Sequence, residues 1–66
     1  MSYEKEQIET FRENLKQAMN KVPERVRNGG VQETRAWLEM RQDAEKMLKK
    51  RSVGVAELLG MITRLQ

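Results

Sequence analysis

Apolar residues near the start of the chain recur at Ile8, Phe11, Leu15, Ala18 and Val22, with Met19 beside them. The steps alternate between three and four, which returns every side chain to one face of a helix. Glu9, Glu13, Lys16 and Asn20 fall off this stripe and are expected to face water. Ser2 is a candidate N-cap, and Glu4 and Glu6 place negative charge where the helix dipole favours it.

Pro23 interrupts the pattern, because its ring lacks an N–H and clashes with the carbonyl four residues back. Val26 still continues the stripe. The expected element is a helix over 3–28 with a kink or break at Val22–Pro23. Asn28-Gly29-Gly30 then ends it, glycine being the residue that accepts the left-handed conformation at helix ends.

A second helix is predicted over 31–51. Trp37, Met40, Ala44 and Met47 repeat the three–four spacing, and Leu38 and Leu48 widen the face. Glu33 lies in its first turn and Lys46, Lys49, Lys50 and Arg51 in its last, matching the helix dipole. Arg41, Glu45 and Lys49 form a ladder of opposite charges four apart. Ser52 can cap a third helix, over 53–65, carrying Val55, Ala56, Leu58, Leu59, Met61, Ile62 and Leu65. Gly54 and Gly60 weaken this segment as an isolated helix by roughly 1 kcal/mol each, so it needs a packing surface. No run alternates with period two, so no strand is expected.

The fold class that follows is all-α: an antiparallel helical hairpin turning at Asn28-Gly29-Gly30, with a third short C-terminal helix forming a small bundle, in one domain spanning 1–66. The expected core is Ile8, Phe11, Leu15, Val22 and Trp37 from the hairpin's facing stripes, with Ala44, Leu48, Leu58, Leu59 and Ile62.

Composition narrows the chemistry. A chain of 66 residues buries only about 60% of the surface it exposes unfolded, and short chains make up the deficit with disulfides, metals, regular packing or a partner. There is no cysteine and no histidine, so disulfides and the usual zinc ligand sets are absent. The same absence removes the common nucleophile–base pairs. Glu39 and Asp43 stand four apart on a helix, but such carboxylates need a cleft to become an acid–base pair. No phosphate-binding loop surrounds Gly29-Gly30. The expectation is a protein that is not an enzyme and holds no cofactor or metal. What remains is association with another protein or with a second copy.

Partner-binding candidates are the apolar anchors Leu15, Met19, Trp37 and Met47 on the hairpin. On the third segment they are Val55, Leu58, Leu59 and Ile62. Methionine adapts to irregular surfaces and tryptophan is favoured at interface hot spots. The net charge of +3 arises entirely after residue 22. Its densest run, Lys46, Lys49, Lys50 and Arg51, supplies the alternative: a small nucleic-acid-binding regulator of phage or plasmid type that grips phosphates. Asp43 and Glu45 adjoin that run and no aromatic is interleaved with it.

The stretch Leu15-Lys16-Gln17-Ala18-Met19-Asn20-Lys21-Val22, followed by Gly29-Gly30 and a helix holding Trp37, resembles the E-type co-chaperones of type III secretion needle subunits. The resemblance covers roughly residues 8–48. It implies a helical hairpin that works with a second helical chaperone to keep a needle subunit monomeric in the cytoplasm. Pro23 and the long apolar C-terminal segment depart from that family's pattern. The first residues lack the basic and apolar regions of a signal peptide, and no run approaches the length of a membrane span. A soluble, cytoplasmic protein is therefore expected, with no membrane partner.

Overall fold

A computed structural model describes residues 3–66 of the chain. The elements are α1 (Tyr3–Met19), α2 (Glu24–Arg27), α3 (Gly30–Lys49) and α4 (Val55–Leu65). The expected all-α small bundle is what forms, with no strand among the described residues. Ser2, the expected cap of α1, lies outside them.

Arginines fix the directions of the helices. Arg12 on α1 donates to the carbonyls of Leu48 and Lys50, both at 2.9 Å, and Arg41 on α3 donates to the Met19 carbonyl at 2.9 Å. The end of each helix therefore lies beside the middle of the other, so α1 and α3 are antiparallel. At the far end, Trp37 Nε1 donates to the Leu65 carbonyl at 3.0 Å, and Arg25 donates to the backbone oxygens of Arg64 and Gln66, both at 3.0 Å. Hence α4 returns along α3 and runs parallel to α1. The last carbonyls of a helix lack intrahelical partners. Here each of the three long helices has its final turn completed by an arginine from another helix.

Two helical registers differ from the sequence-based expectation. The expected break forms and Pro23 opens a separate single turn, α2, but the first helix already ends at Met19, three residues before Val22. Proline disfavours the helical conformation in the residue before it. Pro23 is extended (φ −64°, ψ 152°), and its carbonyl receives the Val26 and Arg27 amides at 3.0 and 3.1 Å. Val22 consequently leaves the stripe: it is 39% exposed rather than in the core, and Val26 is fully buried. The third helix starts at Val55, not 53, and Ser52 does not cap it. Lys50 and Gly54 are extended, and Val53 between them turns into the core, which a helix begun at Ser52 could not achieve.

The core comprises Leu15, Met19, Val26, Trp37, Ala44 and Val53, joined by Leu58, Met61, Ile62 and Leu65 from α4. Ile8, Phe11 and Leu48 pack against it half-buried, as do Met40 and Met47. Leu59, expected inside, is 43% exposed. The positions Leu58, Met61, Ile62 and Leu65 follow the i, i+3, i+4, i+7 spacing and set the centre of the buried face, leaving Leu59 at its margin. Of the charge ladder on α3, Arg41–Glu45 forms at 3.1 Å.

The molecule measures 46 × 18 × 16 Å. At a rise of about 1.5 Å per residue, the antiparallel register places α3's end beside Phe11 and Arg12. The first two turns of α1 therefore extend past the end of α3.

Candidate interaction surface

Two helices packed side by side leave a furrow along their shared edge. Between α1 and α4 this furrow opens into a groove of about 490 Å³. Phe11 and Ala18 form its α1 wall, Leu59 and Ile62 its α4 wall, and Pro23 and Leu65 close its lower end. Asn14, Gln17 and Gln66 are its uncharged polar edges, and Lys21 is the one charged side chain among its lining residues. Three-to-four spacing explains the α1 wall: Phe11, Asn14 and Ala18 occupy the flank of the stripe whose centre, Leu15, is wholly buried, and Lys21 follows just past the helix end at Met19.

A second apolar patch lies on α3 before the bundle proper begins. Val31 is 75% exposed and Leu38 48% exposed. With Thr34 and Arg35 they line a shallow surface of about 420 Å³. The tight turn below it explains its position. Gly30 has φ +84°, and a Cβ at Gly29 would stand 2.9 Å from the Arg25 carbonyl oxygen. This turn brings α2 against one side of α3 and leaves Val31 on another.

The residues singled out from sequence divide between core and surface. Leu15, Met19, Trp37, Leu58 and Ile62 are buried within the chain's own packing. Met47 and Val55 are half-buried. Leu59 is the one among them that stands exposed, on the groove. The groove residues Asn14, Gln17 and Pro23 were not singled out, because their roles depend on where α4 lies against α1, which no local pattern specifies. Phe11 was assigned to the core and instead shares its surface between the core and the groove.

The basic run is solvent-facing: Lys46, Lys49, Lys50 and Arg51 are all exposed, and none is ion-paired among the described residues. The same region accepts Arg12 at the Lys50 carbonyl. Among the described residues, no helix is long and apolar enough to cross a membrane.

Comparison with protein-family models, curated proteins and solved structures finds no match for this chain. The surface must therefore be interpreted from its own chemistry.

Proposed function

We propose that the protein is a non-enzymatic protein–protein interaction module, of the adaptor, co-chaperone or inhibitor kind, whose binding surface is the α1/α4 groove. The observation that carries this reading is Leu59, a large apolar side chain held 43% exposed in a groove that half-buried Phe11 also lines and that has a single charged lining residue. Helix-in-groove recognition uses such surfaces, an apolar stripe of the incoming helix meeting an apolar furrow. The lack of histidine and cysteine favours binding over catalysis. The E-type co-chaperone resemblance gives one version of the reading, in which the incoming helices belong to a second chaperone and a needle subunit. The test is recovery of a defined partner from the native host by tagged wild-type and Leu59→Asp proteins, with Leu38→Asp as a control on the other patch. Loss of the partner with Leu59→Asp alone is expected. Equal recovery by all three proteins overturns the reading.

A second reading rests on the four exposed, unpaired cations Lys46, Lys49, Lys50 and Arg51. Phosphate contacts through them would make nucleic-acid binding fall steeply with salt. A low-salt gel shift with no retarded species overturns it.

A further inference from the structure

The outer face of α3 is left uncovered by the bundle. Val31, Arg35, Leu38, Gln42, Lys46 and Lys49 follow one another at steps of four, three, four, four and three, and all six are exposed. At 3.6 residues per turn those steps keep them within roughly a quarter of the helix circumference. This stripe lies nearly opposite the buried line of Trp37 and Ala44.

Its chemistry changes along its length. The first half is apolar, with Val31 and Leu38 seven residues apart and Arg35 between them. Thr34 at its edge spends its hydroxyl on the Gly30 carbonyl at 3.0 Å. The second half is cationic, with Lys46 and Lys49, and the exposed Lys50 and Arg51 follow at the same end. Arg35, Lys46 and Lys49 have no ion-pair partner among the described residues. No carboxylate stands on the stripe itself. Glu45 borders it on one side and is held by Arg41 at 3.1 Å. Glu39 borders it on the other side, with Asp43 further round.

We infer that this face docks an acidic amphipathic helix of another protein, running antiparallel to α3. Phosphates alone would use the cations and leave Val31 and Leu38 unmatched, whereas an apolar pair one heptad apart meets the apolar stripe of a second helix. Charge sets the direction. A helix carries acidic residues best in its first turns, where its dipole is positive. Running antiparallel, the partner brings those turns to Lys46 and Lys49 and its later, apolar turns to Leu38 and Val31. Running parallel, it would set its acidic turns against Val31 and Leu38 and leave the lysines unpaired. The 18 steps from Val31 to Lys49 span about 27 Å, so the stripe accepts roughly five turns of helix. This face is separate from the α1/α4 groove, so the inference goes beyond the groove reading and does not depend on it.

The probe is a synthetic helical peptide with glutamates in its first two turns and leucines seven apart in its later turns. Titrated into isotope-labelled protein and followed by nuclear magnetic resonance, it is expected to shift the amides of the α3 stripe. A nitroxide at the peptide's N-terminus should broaden the amides around Lys49 and spare those around Val31. Leu38→Asp and the double variant Lys46→Glu/Lys49→Glu change only exposed side chains, and circular dichroism checks that both fold. Each should weaken peptide binding about fivefold or more, while Leu59→Asp leaves it unchanged. Absence of any shift on the stripe at millimolar peptide overturns the inference, as does binding that ignores Leu38→Asp. Broadening around Val31 overturns the direction. Tighter binding to a DNA duplex or to phosphatidylglycerol vesicles than to the peptide overturns the helical occupant in favour of nucleic acid or a lipid surface.

Discussion

Arg12 and Arg41 complete each other's helices: Arg12 on α1 binds the last carbonyls of α3, and Arg41 on α3 binds the last carbonyl of α1. A charged donor to a carbonyl contributes about 1.5–3 kcal/mol when well shielded, and less at these half-exposed positions. Arg12→Met and Arg41→Met are each expected to cost about 1 kcal/mol, seen as a lower urea midpoint with unchanged slope. Arg12→Lys should lose most of that amount despite keeping the charge, because one ammonium does not reproduce a planar fork reaching two carbonyls. Wild-type stability in the lysine variant would count against the capping role.

The glycines separate by environment. Gly60 has nothing within 4 Å of the position a Cβ would take and lies inside α4, so Gly60→Ala should stabilise by roughly 0.5–1 kcal/mol. Gly29→Ala should destabilise more than Gly30→Ala. The first pushes a methyl against the Arg25 carbonyl and the Glu33 side chain, whereas the second carries only the backbone strain of φ +84°, about 1 kcal/mol. Thermal melts of the three variants check the order.

Leu15→Ala and Leu58→Ala remove side chains with no exposed surface and are expected to cost about 2–5 kcal/mol, enough to unfold much of so small a domain. Leu59→Ala and Val22→Ala should change monomer stability by less than about 1 kcal/mol, because both side chains already face solvent. A large loss at Val22 in denaturant titration would contradict the break before Pro23.

Much of this arrangement was legible in the residues. The stripes at Leu15 and Trp37 and the turn at Gly29-Gly30 depend on local periodicity and backbone preference, and these define the helices and their hairpin. Val22 and Leu59 escaped because burial depends on where a helix ends and how it rolls. Val22 follows the local stripe, but the chain leaves the helix before reaching it. Ser52 failed as a cap because Val53 has a place in the core, and that tertiary demand outweighs a capping bond worth about 1 kcal/mol. The arginines at 12, 25 and 41 looked like ordinary solvated charge. Their partners lie 36, 41 and 22 residues away in the chain, a separation invisible to any short-range pattern.

Trp37, the single tryptophan, is buried with its indole N–H on the Leu65 carbonyl. Its emission should therefore report the seating of α4. Trp37→Phe keeps most of the apolar volume but abandons that carbonyl, and is expected to cost about 1–3 kcal/mol. Leu65→Ala should shift the tryptophan emission to longer wavelength below the main melting transition. An unshifted spectrum would show that α4 seats independently of this contact.

The exchange of capping arginines also bears on the order of events in folding. Each long helix has C-terminal carbonyls bound by an arginine of another helix, so none gains its full stability until that helix has arrived. Hydrogen exchange at the final turns of α1 and α3 should then proceed through whole-chain opening rather than through fraying, and at rates that match one another. Such mutual dependence makes a chain with little core behave as one cooperative unit, with few half-formed species exposed to aggregation or proteolysis.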